Sequence, residues 1–169
     1  MSEPVDQQGE RPGERTAAVV GALAARGQTV ATAESLTGGL LCAALVDVPG
    51  ASAVVRGGVV AYAAECKSTV LGVPAEVVGT HGAVAAETAL RMAGRARELF
   101  GADWGVATTG VAGPDPAEGQ PPGRAYVAVA GRDRLVHRRL DLGGQRADVR
   151  AGTVRAALVL MLSEIEKSG

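Results

Sequence analysis

Apolar side chains recur at Ala17, Val20, Leu23 and Ala24, three or four positions apart, which is the period of a helix with one buried stripe; residues 14–26 are read as that helix, closed by Gly27. A short apolar run over 29–33 is read as a strand. Residues 40–46 continue as a buried helix, within a helical stretch over 38–47 that runs to Pro49-Gly50. A second strand covers 57–61. Helical segments follow near 65–71 and 75–79, then a longer helix over 84–100 with Ala85, Ala89, Met92, Ala93, Ala96 and Phe100 inward. Three more apolar runs, 104–108, 124–129 and 135–140, read as strands. The last two are joined by Gly131-Arg132-Asp133-Arg134, short enough for an antiparallel hairpin. A terminal helix over 145–166 closes the pattern.

Helices alternating with strands, plus one hairpin, predict an α/β protein: a three-layer α/β/α sandwich with a mixed, mostly parallel sheet including one antiparallel hairpin. The 169 residues, 47% apolar and 21% charged, fit one domain over 14–169 with a full core. Residues 1–13 are polar and rich in Gly and Pro, and are expected to be a disordered lead-in. They lack the basic start and apolar centre of a signal peptide. No run is long and apolar enough to span a membrane, so a cytoplasmic protein without a membrane partner is expected.

Composition removes several kinds of function. The net charge is −1, the 17 basic residues form no uninterrupted block, and four aromatics make a poor stacking platform, so no nucleic-acid partner is expected. Cys42 and Cys66 have no CxxC spacing and read as small buried hydrophobes. His81 and His137 stand alone, and neither a metal site nor a cofactor is expected.

Candidate chemistry starts at Glu34-Ser35-Leu36-Thr37-Gly38-Gly39, where a strand gives way to a glycine-opened helix. Ser35 is read either as an ordinary helix cap or as a nucleophile. In the second case the N–H groups of the first helical turn, near Gly38 and Gly39, could hold an oxyanion or a phosphate. Tyr62, at the end of the second strand, and Lys67, early in the next helix, could converge on the same pocket. A buried lysine can act as base to a serine, with a phenol relaying the proton. Singly, each has a plainer reading as a strand-end tyrosine and a solvated lysine. Thr108, Thr109 and Gly110 end the third strand, and ligands in open α/β sheets bind beyond such ends. Arg146 and Arg150 lie one turn apart at the start of the last helix, as a phosphate clamp or a solvated face. The loop 113–123 is too rich in Pro and Gly for regular structure, and either borders the site or merely connects two strands.

Taken in order, Ala33-Glu34-Ser35-Leu36-Thr37-Gly38-Gly39, Gly57 to Tyr62 with Lys67, His81-Gly82-Ala83-Val84, Thr109-Gly110-Val111-Ala112-Gly113-Pro114 and Pro121-Pro122-Gly123 resemble the motif series of the CinA C-terminal domain family, the nicotinamide mononucleotide amidohydrolases of PncC type, over residues 14–165. The resemblance implies metal-free hydrolysis of the nicotinamide mononucleotide carboxamide to nicotinate mononucleotide and ammonia, in pyridine nucleotide salvage. It makes Ser35 the nucleophile and Tyr62 and Lys67 its proton-transfer pair. It gives Glu34, Thr37, Gly38, Gly39, Thr108, Thr109, Gly110 and Arg146 to the substrate, a small nucleotide. It also implies self-association into a homo-oligomer.

The chain departs from the family pattern at Ala64, where a polar residue is usual, and at Asp115-Pro116-Ala117-Glu118, which replaces a glycine-rich segment. Some relatives carry this domain behind a larger one with pyrophosphatase activity, which is not expected here. A short-chain dehydrogenase also uses Ser, Tyr and Lys. Its Tyr and Lys are four apart beside a GxGxxG loop, whereas here the separation is five and that loop is missing. The alternative of another kind is a non-catalytic nucleotide-binding or partner-binding module linked to competence or DNA damage.

Overall fold

The computed structural model describes residues 13–168, so the expected lead-in lies almost wholly outside the described residues. The elements run α1 (Glu14–Arg26), β1 (Val30–Glu34), α2 (Leu40–Val46), β2 (Val55–Val60), α3 (Ala64–Thr69), α4 (Ala75–His81), α5 (Ala86–Phe100), β3 (Trp104–Gly110), β4 (Arg124–Ala130), β5 (Leu135–Asp141) and α6 (Arg146–Lys167). One five-stranded sheet has the order β2-β1-β3-β4-β5. Parallel pairing joins β1 to β2 and β3; antiparallel pairing joins β4 to β3 and β5, so β4 alone runs against the rest.

Side-chain size divides the two faces. Alternation along the strands sends Val30, Trp104, Val106, Val127 and Val129 to one side, where they pack with Val19, Leu23, Leu41, Leu158 and Met161 of α1, α2 and α6. The opposite face carries Ala31, Ala33, Ala107, Ala128 and Ala130, packed against Ala89, Met92, Ala93 and Ala96 of α5. Small residues on both partners let that helix lie unusually near the sheet. A Cβ on Gly105 would stand 2.0 Å from the Ala93 carbonyl oxygen, so only glycine fits there.

Helices on both faces of a mostly parallel sheet give the expected three-layer sandwich. Three local expectations are corrected. On α1 the buried stripe is Thr16, Val19, Val20 and Leu23, with Ala17 and Ala24 exposed, because a small apolar residue suits either face and the larger valines decide the helix rotation. On α5, Thr88 joins the inward face while Ala85 and Phe100 are only partly buried. Within the loop 113–123, Ala117 and Gln120 exchange two backbone hydrogen bonds, of 3.1 and 2.8 Å, so a defined turn stands where no regular structure was expected. Among the described residues no helix is long and apolar enough to cross a membrane.

Candidate active site

The ends of β1, β2 and β3 point the same way, and a cavity of about 390 Å³ opens beyond them, within the size range of small-molecule sites. Ser35 follows β1, Tyr62 follows β2, and Thr109 and Gly110 end β3; all four line the cavity together with Lys67. Ala83 and Val84 reach it from the junction of α4 and α5, and Ala117 and Glu118 from the loop after β3.

Lys67 is 1% exposed although it belongs to a surface helix of six residues. Its side chain turns inward beneath the end of β2, and Nζ lies 3.0 Å from Ser35 Oγ, 2.9 Å from the Ala61 carbonyl oxygen and 3.4 Å from that of Tyr62. Burial pushes the Lys67 pKa below 10.5, because an ammonium loses its hydration there. The charge of Glu118, and more weakly Cys66 and Glu65, works against that shift. A neutral amine has two hydrogens and one lone pair. Two carbonyls are present for the hydrogens, which leaves the lone pair for the Ser35 hydroxyl.

Tyr62 lines the cavity but points its hydroxyl away from Lys67. Its backbone carbonyl faces Lys67 and Ser35, but its ring is 59% exposed and its hydroxyl accepts a 2.8 Å hydrogen bond from Arg146 Nη2. Arg146 Nη1 donates to the Gly113 carbonyl at 2.8 Å. The phenol and the guanidinium thus form a clasp at the rim, and Lys67 meets Ser35 directly without a relay.

The helix entrance is also used differently than expected. Glu34, 1% exposed, turns its carboxylate back onto the start of α2 and accepts from the N–H groups of Gly39, Leu41 and Cys42 at 3.1, 3.0 and 2.8 Å. Thr37 Oγ1 lies 2.6 Å from the same carboxylate and 2.7 Å from Thr108 Oγ1. Gly38 N–H goes to the Ser35 carbonyl. Neither Gly38 nor Gly39 therefore has its amide free for a phosphate or an oxyanion; an internal carboxylate already occupies the positive end of the helix. Glu34, Thr37 and Thr108 are buried behind the Ser35 turn and hold its shape; they do not line the cavity.

Arg150 serves the same turn. Its Nε and Nη2 donate to the carbonyls of Leu36 and Thr37 at 2.9 and 3.1 Å, so it is spent on the backbone instead of forming a clamp with Arg146. Ser35 N–H is held by the Thr108 carbonyl. In this turn the amides of Leu36 and Thr37 take no acceptor among the described residues, and Leu36 lines the cavity. Thr109 Oγ1 donates to the Ala83 carbonyl at 2.6 Å, tying the α4–α5 junction to the strand end. A Cβ on Gly110 would meet Ala125 Cβ at 2.6 Å, so the strand end needs glycine.

Sequence reasoning missed two of these roles, Glu34 as a cap and Arg150 as a brace, while the loop 113–123 borders the site through Ala117 and Glu118, one of its two readings. Glu34 caps amides five, seven and eight positions ahead across a turn, a spacing that no local capping pattern contains. The contacts of Arg150 span 113 and 114 positions.

Comparison with known proteins agrees with this architecture. The CinA C-terminal domain matches residues 14–165. A CinA-like protein of Frankia casuarinae is 48% identical over 143 residues, covering 85% of this chain and 33% of that protein. A putative competence-damage inducible protein of Geobacillus kaustophilus is 48% identical over 139 residues, covering 81% and 33%. The chain thus spans about a third of the length of these curated relatives. Among solved structures, a competence-damaged protein (CinA) superfamily protein of Klebsiella pneumoniae superposes with a TM-score of 0.90 at 35% identity, covering 94% of this chain and 99% of that one. The competence/damage inducible protein CihA of Agrobacterium tumefaciens gives 0.87 at 36% identity, covering 96% and 98%. With a family match over most of its length and these relatives, the chain belongs to the CinA C-terminal domain family.

Proposed function

We propose that this protein is a cytoplasmic amidohydrolase that converts the carboxamide of nicotinamide mononucleotide to the carboxylate and ammonia, with Ser35 as nucleophile and Lys67 as its base. The observation that carries this reading is the 3.0 Å contact between a buried, pKa-lowered lysine and a serine on the wall of a small-molecule-sized cavity.

The reaction runs by acyl transfer. Neutral Lys67 takes the Ser35 hydroxyl proton as Oγ bonds to the carboxamide carbon. The Leu36 N–H, which takes no acceptor among the described residues and belongs to a residue lining the cavity, serves as the donor for the developing oxyanion in this reading. As the intermediate collapses, the C–N bond breaks and the Lys67 ammonium gives its proton to the nitrogen, which leaves as ammonia. Water then adds to the ester with Lys67 again as base, releasing the acid and restoring Ser35. A positioned base of this kind contributes about 10²–10⁴-fold in rate. The rim clasp of Tyr62 and Arg146 supports a role on the phosphate side of the nucleotide, with Arg146 as the cation.

The test is ammonia release from nicotinamide mononucleotide by purified protein, beside Ser35→Ala and Lys67→Ala and with a chelator in one sample. Turnover by the wild type, unchanged by chelator and abolished in both variants, is the expected result. Nucleotide binding without ammonia release would replace this reading with that of a binding module.

A further inference from the structure

Glu118 has a backbone φ of +53° and is the one non-glycine residue with positive φ among the described residues. It shares a two-residue turn with Gly119, at +69°, closed by the paired hydrogen bonds of Ala117 and Gln120. Both central residues are left-handed, a geometry that glycine, asparagine and aspartate adopt readily and glutamate does not. Strain of this kind is a reason to look for use. The turn is also anchored: Arg124 Nη1 donates to Gln120 Oε1 at 3.1 Å, and Val111 N–H and Gly123 N–H bond across the loop base, each at 2.8 Å.

The anchored turn sets Ala117 and Glu118 on the cavity wall. Glu118 and Lys67 are the charged residues of that wall; the other lining is mostly apolar, from Leu36, Ala63, Ala64, Val84 and Ala112. Lys67 is committed to Ser35 and two carbonyls, whereas the Glu118 carboxylate has no hydrogen bond or ion pair among the described residues. Its charge nonetheless reaches Lys67, as the largest opposition to the downward shift there. A free carboxylate above apolar walls suits a flat organic cation and repels an anion.

We propose that Glu118 is a specificity-determining residue that selects a cationic ring next to the reacting carbonyl and disfavours a carboxylate in the same place. This rests on the amidohydrolase reading, in which the substrate ring is a pyridinium cation and the product gains a carboxylate. Selection of the cation and expulsion of the acid then follow from one charge.

The experiment compares wild type, Glu118→Gln and Glu118→Asn. Ser35 modification by neutral phenylmethylsulfonyl fluoride and by cationic aminoethylbenzenesulfonyl fluoride is followed by intact mass, alongside ammonia release from nicotinamide mononucleotide. The ratio of cationic to neutral modification rates is expected to fall roughly tenfold in both variants, the scale of one nearby charge at a partly solvated site. The KM for the nucleotide is expected to rise by a similar factor. Asparagine accepts the left-handed turn, so Glu118→Asn keeps its melting temperature while losing selectivity. An unchanged ratio with ammonia still released overturns the proposal and leaves the amidohydrolase reading intact. A shifted ratio without ammonia release from wild type does the reverse.

Discussion

Lys67 Nζ and Ser35 Oγ lie 3.0 Å apart, and the lysine is 1% exposed. A methionine of similar length would fill the same space without an amine. Lys67→Met is therefore expected to fold, to lose about 10²–10⁴-fold in kcat, and to leave nucleotide affinity nearly unchanged. Steady-state ammonia release and equilibrium binding, measured on the same preparation, check both halves.

The lowered Lys67 pKa sets a pH dependence of definite sign. Only the neutral amine can accept the serine proton, so kcat/KM should rise with pH along a limb whose midpoint lies below 10.5. Because the Glu118 charge raises the Lys67 pKa, Glu118→Gln should move that midpoint lower still. Stability follows the same group. Between the folded pKa and 10.5 the unfolded chain binds the proton and the folded one does not, so wild-type stability rises with pH across that window, and Lys67→Met loses that slope. Denaturant melts at several pH values report it.

Glu34 accepts three backbone N–H groups and lies 2.6 Å from Thr37 Oγ1. Glu34→Gln replaces one acceptor oxygen by a donor that faces these same donors. The expected cost is about 1–3 kcal/mol, or several degrees in melting temperature for a domain of this size. Activity should fall with it because the Ser35 turn loses its brace. A variant with wild-type stability and reduced affinity would mean that this carboxylate contacts substrate after all.

The rim clasp predicts a separation of kinetic effects. Tyr62→Phe removes the hydroxyl that accepts from Arg146 but keeps the carbonyl beside Lys67. It should raise KM several-fold with little change in kcat, the mark of lost binding and not of a lost proton relay. A collapse of kcat with KM unchanged would restore the phenol to the chemistry.

The layers and the β4–β5 hairpin rest on features that local sequence carries. Apolar periods set each element, and Gly38 and Gly39 mark the turn where Ser35 stands. The convergence of Ser35 and Lys67 was legible because both follow parallel strands whose ends must meet at one edge of the sheet. Side-chain direction was not. Whether Tyr62 turns inward or toward Arg146 depends on α6, more than eighty positions away in sequence. Whether the α2 amides stay open depends on Glu34 folding back across the turn. The loop 113–123 reads from its Pro and Gly content as irregular, and glutamate carries no turn signal that would place Glu118 in a defined turn. Its turn is closed by the Ala117–Gln120 pairing and the Arg124–Gln120 contact, which are three and four positions apart but follow no residue pattern that marks a left-handed turn at a glutamate.

The most direct test of the central claim is a single turnover of nicotinamide mononucleotide, quenched in acid on the millisecond scale and mapped by peptide mass. The account predicts a transient ester on the peptide carrying Ser35, formed with the release of one ammonia and absent from Lys67→Met on the same timescale. Ammonia release at wild-type rate by Ser35→Ala would contradict it.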